Sequence, residues 1–281
     1  MGASYTSNMN TAEAGANGTL MGSHLKQPSD ITSLPYFPTG CKSLLQKCLT
    51  PDVWEACKDR RDRFGFTFQQ VIFSGAKWTN SGVGCYAGSH DSYYTFAPFF
   101  DKIIEQYHGH KPSDKHISSM DVNELKCPPF PPDEDKMINS TRIRVARNLA
   151  AYPLGTCVNR AERREIENLV VSALNEFTGE LKGKYYSLET MTEAEKKQLI
   201  ADHFLFKGGD KYLESAGLER DWPEARGIFH NDAKTFLVWV NEEDQLRIIS
   251  MQMGSDIGAV FKRLATAANK IEEKAKFAND E

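Results

Sequence analysis

The sequence lacks several patterns that would place it in a well-known class of protein. No apolar run approaches the roughly 18 residues of a membrane-spanning helix. Its six cysteines show neither a CxxC pair nor a secretory leader, which favours free thiols in a reducing compartment. No GxxxxGK[ST] motif occurs, so phosphate is not held by a P-loop. We therefore expect a cytoplasmic protein that binds any phosphate by other means.

Charge of one sign is not in excess either. The 281 residues carry 34 basic and 38 acidic side chains, a formal net charge of −4, and the two signs are interspersed. Because no basic field is present, nucleic acid is not an expected partner, and phosphate binding must come from a few placed arginines. Hydrophobic residues make up 40% of the chain, enough for one large or two ordinary domains.

Residues 1–34 have few large apolar side chains and are rich in Ser, Thr, Asn, Gly and Ala, so we predict a disordered tail. The tail contains no arginine, which argues against a mitochondrial presequence. Gly2, with Thr6 four positions on, matches the N-myristoylation pattern. One acyl chain would give only reversible membrane contact, because no adjacent cysteine or basic cluster adds a second signal. An unmodified Gly2 is the alternative, since so short a motif also occurs by chance.

Residues 35–120 have a predominantly helical pattern. Helices are expected from Leu44 onward, over residues 52–63 after a break at Pro51, and over residues 91–110. Residues 121–135 contain Pro-Pro-Phe-Pro-Pro, which predicts a stiff linker. The pattern thus predicts a small helical domain followed by a second domain at residues 136–281.

A glycine-containing segment interrupts the helical region. It consists of Ser81, Gly82, Val83, Gly84, Cys85 and Tyr86. Two glycines in so short a segment allow the backbone to approach a ligand closely. A simple surface turn is the ordinary explanation of the same composition.

The second domain is centred on the acidic turn, Asn241-Glu242-Glu243-Asp244. The flanking segments 236–240 and 246–251 are rich in β-branched and apolar residues, which predicts adjacent strands joined by a tight connection. Three carboxylates this close repel one another, so a bound metal or a cationic substrate would stabilise them. A solvated acidic hairpin is the alternative.

Polar and apolar residues alternate from Ser140 to Val145, which places Arg142 and Arg144 on one face of a strand. Paired guanidinium groups suit polyphosphate, because each planar fork makes bidentate bonds and stays charged. Arg247 would add a third positive group at the rim of the acidic turn. Arginines on the wet face of a half-buried strand are the alternative reading.

Amphipathic helices accompany these strands. Asn159 with Glu162, and Thr192 with Glu195, form two capping boxes, and a last helix is expected from Asp256 to Lys274. Mixed strands and amphipathic helices indicate an α+β domain.

Together these stretches resemble the ATP:guanidino phosphotransferases, or phosphagen kinases, and most closely the arginine kinases among them. The resemblance runs from about Pro38 to the last residue. It is carried by segments 81–84, 140–144, 202–206, 227–232 and 240–244. It implies a small all-helical N-terminal domain and a larger domain with an antiparallel sheet flanked by helices, similar to glutamine synthetase.

The resemblance also implies roles for particular residues. The backbone of Ser81, Gly82, Val83 and Gly84 would contact the carboxylate of a guanidino substrate, with Tyr86 beside them. ATP or ADP would be bound by Ser140, Arg142, Arg144, His203 and Arg247. Glu242 and Asp244 would hold Mg²⁺, mostly through water, because Mg²⁺ gives up its hydration reluctantly. Glu243 would be catalytic: it would grip the guanidinium and accept a proton, since a guanidinium nitrogen becomes nucleophilic only as a proton leaves.

Three points stay open. Arginine is favoured as the substrate because the loop is short and contains Tyr86, and taurocyamine or another guanidino compound is the alternative. Chains of the family continue beyond the equivalent of Glu281, so we expect a fragment of the catalytic domain with little activity alone. A short form that binds ATP or a guanidino compound without catalysis is the alternative from a different class. Monomer and dimer are both compatible with the sequence.

Overall fold

The computed structural model describes residues 25–278, and its first part is helical. The helices are α1 (Leu44–Cys48), α2 (Pro51–Cys57), α3 (Phe68–Lys77), α4 (His90–Thr95) and α5 (Ala97–His108). Local capping explains where α3 begins, because Thr67 and Gln70 bond reciprocally in a capping box. The core of this domain is aromatic, and Phe68 packs edge-to-face on Phe99 with ring centroids 5.3 Å apart.

The helix expected over residues 52–63 ends at Cys57. The physical reason is Asp62, a buried carboxylate that accepts hydrogen bonds from two backbone N–H groups and from the hydroxyls of Ser89 and Ser92. A carboxylate is costly to bury unless it is bonded in this way. The chain therefore loops around Asp62, whose hydroxyl partners lie 27 and 30 residues further on and leave no local signal.

The single helix expected over residues 91–110 is divided into α4 and α5. Phe96 separates them, and its N–H bonds back to the carbonyl of Ser92 to close α4. Pro98 lies in the first turn of α5, where its missing N–H costs no helical hydrogen bond. The proline thus starts a new helix instead of continuing the old one.

The predicted disordered tail reaches too far into the chain. Leu25 and Ile31 are buried, with 7% and 5% of their surface exposed, and both belong to the core of the helical domain. Burial of two aliphatic side chains offsets the entropy of ordering this segment, which the polar composition around them concealed. Residues 1–24, including Gly2, lie outside the described residues.

The second domain contains one five-stranded sheet and helices on its surface. In chain order, after a short helix α6 (Pro132–Asp135), come β1 (Ser140–Arg147), α7 (Arg160–Leu174), β2 (Gly183–Ser187), α8 (Glu193–Ala201), α9 (Lys211–Ala216), β3 (Gly227–Asn231), β4 (Phe236–Val240), β5 (Leu246–Met253) and α10 (Ile257–Glu272). All neighbouring strands are antiparallel, in the order β1-β5-β4-β3-β2. The predicted α+β class, with a helical domain followed by an antiparallel sheet, is confirmed.

The two faces of the sheet are covered differently. Helices α7 and α10 pack on the face that carries Phe229, Val238 and Ile248. On the opposite face, Leu237 and Ile249 are covered by the segment after α8, which includes Phe204 and Phe206. In the register of the sheet, Arg142 lies opposite Met251, and Trp239 lies opposite Arg247. Because paired residues point to the same side, the predicted arginines lie on this second face.

Hydrogen bonds join the two domains at two places. The Ser74 hydroxyl of α3 donates to the carbonyl of Tyr212 in α9, at 2.9 Å. The Thr156 hydroxyl donates to the carbonyl of Ala87 at 2.6 Å, and the N–H of Leu154 donates to Gly88 at 2.9 Å. These bonds place the segment after β1 against the end of the glycine-containing loop. Within residues 25–278, no helix is both long and apolar enough to cross a membrane.

Candidate functional site

The acidic turn joins β4 to β5, and all three of its carboxylates surround one guanidinium. Nη2 of Arg247 lies 3.4 Å from Glu242, 3.3 Å from Glu243 and 3.0 Å from Asp244. The cation that the clustered acids require is thus supplied within the chain by Arg247. The sequence analysis had expected a metal or a cationic substrate in that position, and had placed Arg247 only at the rim.

Burial affects the charged groups of this cluster in different ways. Burial raises the pKa of Glu242, and the neighbouring carboxylates of Glu243 and Asp244 raise it further. Burial alone would lower the pKa of Arg247, but the three carboxylates outweigh it and raise the value above its ordinary range. Glu243 has the most exposed side chain of the three acids, 46%, against 17% for Glu242. Glu243 is therefore the carboxylate best placed to meet a ligand.

Buried amides fix the backbone of the turn from below. Asn241 has a positive φ of 55°, which asparagine tolerates better than most residues, and its side-chain NH₂ donates to the carbonyls of Arg163 and Ala225. Gln245 bonds through its side chain to Leu149 and Pro153, both at 2.7 Å. The turn is thus held to neighbouring segments rather than free in solvent.

Asn148, at the end of β1, contacts the turn directly. Its NH₂ group donates to Asp244 at 3.3 Å, and its carbonyl oxygen accepts the N–H of Gln245 at 3.0 Å. The sequence analysis did not select Asn148, Gln245 or Asn241. The available signal was weak: an asparagine directly after the arginine strand, and amide residues at both ends of the acidic turn.

The arginine strand has the predicted alternation, with Arg142 and Arg144 exposed and Ile143 and Val145 partly buried against the core. Ser140 has the same parity and lies on the arginine face. Ala146 lies opposite Arg247, so all three predicted arginines project from one face of two neighbouring strands.

The three guanidinium groups are close enough to influence one another. Partial burial lowers the pKa of Arg142, and the positive charges of Arg144 and Arg247 lower it further. Within the described residues, neither Arg142 nor Arg144 forms an ion pair with a carboxylate, whereas Arg247 forms three. Two mutually repelling cations without a paired anion are suited to bind phosphate oxygens.

His203 lies in the loop after α8, in the left-handed backbone region with φ 58° and with an exposed side chain. The next residue, Phe204, accepts a hydrogen bond from the indole N–H of Trp239 at 2.8 Å. Since Trp239 lies opposite Arg247, this loop covers the arginine face. Within the described residues, no hydrogen bond or ion pair joins His203 to the three arginines.

The glycine-containing loop is anchored to the helical domain. The carbonyls of Gly82 and Val83 accept the N–H groups of Leu44 and Leu45 at the start of α1. Gly84 has φ +86° and approaches α3 so closely that a Cβ added to Gly75 would lie 2.2 Å from the Gly84 carbonyl oxygen. Both features explain why glycine stands at these positions. The N–H of Ser81 bonds back to the carbonyl of Trp78, which closes the turn that leads into the loop.

Tyr86 links the loop to the acidic turn across the domain boundary. Burial raises the pKa of its phenol, and the carboxylates of Asp210 and Glu243 raise it further. Gly155 lies between the domains, since a Cβ added there would come within 3.1 Å of the Glu243 carbonyl oxygen. The structure therefore brings Tyr86 and Glu243 together, although they are far apart in sequence.

The oxygen atoms of Glu242 and Asp244 meet at one point, the Nη2 of Arg247. Mg²⁺ is bound in many phosphate-handling sites by one or two carboxylates and completes its coordination with water and phosphate oxygens. These two carboxylates are a donor set of that kind. Within residues 25–278, no group of three or more His, Cys, Asp and Glu side chains could hold a metal by itself.

Comparison with known proteins is consistent over both domains. Residues 39–105 match the model of the ATP:guanido phosphotransferase N-terminal domain. Residues 165–281 match the model of the C-terminal catalytic domain of the same family. The chain thus carries segments of both domains of one family of transferases.

Similar proteins carry consistent names. The chain is 52% identical to an arginine kinase of Anthopleura japonica over 84% of its own length, and 50% identical to one of Limulus polyphemus over 86%. Among solved structures, it is similar to lombricine kinase, with a TM-score of 0.79 and 33% identity over 89% of the chain. A taurocyamine kinase of Schistosoma mansoni gives a TM-score of 0.78 and 41% identity over 85%.

On these grounds the chain belongs to the ATP:guanido phosphotransferase family. Its span differs between relatives. It covers 33% of the Anthopleura protein and 34% of the Schistosoma protein, but 68% of the Limulus protein and of the lombricine kinase. The roles assigned to individual site residues remain predictions.

Proposed function

We propose that this chain serves a phosphagen kinase that transfers the γ-phosphoryl group of ATP reversibly to the guanidino group of arginine. The observation that carries the proposal is the position of Glu243. This exposed carboxylate lies between the face that bears Arg142 and Arg144 and the loop that bears Tyr86. A nucleotide and a guanidino compound could meet there, on opposite sides of one acid.

The arginine face would bind the phosphates of ATP. Phosphoryl transfer requires in-line alignment and neutralisation of negative charge, and arginine forks supply both. Arg142 and Arg144 lack carboxylate partners among the described residues. Arg247 is held by three acids and would define the boundary between phosphates and acidic turn. Ser140 and His203 would contact the nucleotide from the edges of the same face.

Glu243 would orient the guanidinium and accept a proton from it. As the nitrogen attacks the γ-phosphorus, a P–N bond forms and the bond from phosphorus to the bridging oxygen of ADP breaks. The proton lost by the nitrogen passes to the Glu243 carboxylate, so charge and atoms balance. Mg²⁺, if bound through water at Glu242 and Asp244, would supply neutralisation of the phosphate charge.

The test is Glu243→Gln, which keeps the size of the side chain and removes its charge and basicity. We expect turnover with ATP and arginine to fall by ~100-fold or more, because the residue combines alignment with proton acceptance. Glu105→Gln is the matched control, an identical change at an exposed position on α5. Near-normal turnover of Glu243→Gln would remove Glu243 from the mechanism.

Binding of ATP and of arginine, measured by calorimetry on the unaltered chain, separates the catalytic proposal from its alternative. Turnover together with binding supports a kinase. Binding of both ligands without turnover would instead favour a non-catalytic binding protein.

The substrate is a separate part of the proposal. The name arginine kinase among the similar proteins favours arginine. The names of the similar solved structures favour taurocyamine or lombricine as second candidates. A panel of the three compounds at equal concentration decides between them. We expect kcat/KM to be highest for arginine, and a higher value for taurocyamine or lombricine would overturn the assignment.

We extend the proposal to the setting of the protein. Six free cysteines among the described residues support a reducing, cytoplasmic compartment. Gly2, if acylated, would add reversible membrane contact, and mass spectrometry of the native N-terminal peptide tests this. Monomer and dimer are distinguished by sedimentation. A disulfide in the native protein would contradict the compartment.

A further inference from the structure

A second cleft, of about 430 Å³, lies between the two domains. One wall is formed by the helical domain, with Lys26 ahead of α1 and with Lys77 and Trp78 at the end of α3. The other wall is formed by α9 and the segment after it, with Lys211 and Arg220. Within the described residues, none of the predicted substrate, nucleotide or metal residues lines this cleft. It is therefore distinct from the candidate site.

The charge of the cleft is strongly one-sided. Four cationic side chains line it, and Glu214 is the one carboxylate among its described lining residues. Two of the cations are held by an aromatic ring: the ammonium groups of Lys77 and Lys211 lie 5.6 Å and 4.7 Å from the ring centroid of Trp78. Arg220 donates to a backbone carbonyl at 2.6 Å. These partners are uncharged, so they position the cations without neutralising them.

Repulsion among the cations has a measurable trace. Burial lowers the pKa of Arg220, and the positive charge of Arg163 lowers it further. Lys26 has Asp30 nearby, but that carboxylate is already bonded to the backbone N–H groups of Gln27 and Lys26. Like charges held in a partly enclosed space favour the entry of an anion, because the low local dielectric strengthens the attraction.

The wall also contains an unsatisfied donor. The indole N–H of Trp78 is buried and has no hydrogen-bond partner. A buried donor without a partner is destabilising, and a native structure usually supplies an acceptor. Trp78 contacts cations from both domains, so a small movement of this wall would bring an acceptor oxygen in the cleft within its reach.

We propose that this cleft binds a small, multiply charged anion of the phosphate class, which contacts both domains at once. The anion would accept bonds from Lys26 and Lys77 on one side and from Lys211 and Arg220 on the other. It would thereby hold α3 against α9, where Ser74 already donates to the Tyr212 carbonyl. Inorganic polyphosphates and phosphorylated metabolites share this chemistry. The proposal does not rest on kinase activity, because its readout is binding.

The test is calorimetric titration with inorganic pyrophosphate and, separately, with glycerol phosphate. The titrated protein carries Arg142→Gln and Arg144→Gln, so that the arginine face does not contribute. Adding Lys26→Gln and Lys77→Gln should weaken pyrophosphate binding by about tenfold or more. Pyrophosphate binding alone identifies inorganic polyphosphate as the ligand type, and equal or tighter binding of glycerol phosphate identifies phosphate monoesters.

The matched control carries Lys47→Gln and Lys102→Gln, the same charge change at exposed positions of α1 and α5. It should bind within about twofold of the parent protein, since distant exposed charges are screened. Lys211→Gln, on the opposite wall, should weaken binding independently of any effect on α3. Absence of pyrophosphate binding in the parent protein at millimolar concentration would overturn the proposal. Equal affinities in the cleft and control variants would also overturn it.

Discussion

Gln245 is buried, with 1% of its surface exposed, and joins the acidic turn to the segment after β1. Its side-chain oxygen accepts the N–H of Leu149, and its NH₂ donates to the Pro153 carbonyl, both at 2.7 Å. Gln245→Leu keeps the approximate size and leaves both backbone groups without these partners. An unsatisfied buried polar group costs about 1–3 kcal/mol, so we expect the free energy of unfolding to fall by about 2–5 kcal/mol.

Urea unfolding followed by far-UV circular dichroism measures this effect. With an m-value of about 3 kcal/mol/M, the midpoint should fall by on the order of 1 M. Gln106→Leu on α5 is the matched control, because Gln106 is exposed, and it should change stability by less than about 0.5 kcal/mol. Equal midpoints for the two variants would refute the view that Gln245 holds the turn.

Three further predictions concern other parts of the chain. Gly75→Ala should lower stability by about 1–3 kcal/mol in thermal unfolding, because the new Cβ would lie 2.2 Å from the Gly84 carbonyl oxygen. Gly82→Ala, whose Cβ meets nothing within 4 Å, is its control, and equal effects would contradict the packing argument. A lysine ammonium and the N-cap threonine lower the pKa of Glu195 from 4.5 to about 2. Its stabilising contribution is complete above pH 4.5 and is lost as the pH falls toward 2, and an NMR carboxyl titration with a midpoint near 4.5 would contradict this. Cys127 is exposed, whereas burial raises the pKa of four other thiols, so Cys127→Ser should remove the fastest phase of reaction with a thiol reagent at neutral pH. An unchanged fast phase would refute that assignment.

Features encoded by residues near one another in the chain were predictable. The alternation from Ser140 to Val145 predicted a strand with Arg142 and Arg144 on one face, and the structure has it. The capping box at Asn159 predicted the start of α7, and Asp256 caps α10 as expected. Residue types and spacing determine such elements because their stabilising contacts lie within a few positions.

Features that depend on distant partners were not predictable in the same way. Asp62 ends α2 early through hydroxyl groups 27 and 30 residues away, and Leu25 is ordered by burial in a core built from later helices. The error at both places has one cause: the local composition is polar or helical, and a long-range contact outweighs it.

The candidate site combines both kinds of information. The sequence by itself determined that an acidic turn follows one strand, that Arg142 and Arg144 share a face, and that a glycine-containing loop precedes Tyr86. Only the tertiary structure decided that Arg247 receives all three carboxylates and that Tyr86 lies near Glu243. The physical reason is that a strand pattern specifies the side on which a group projects. The partner it meets there depends on how the sheet and the helical domain pack together.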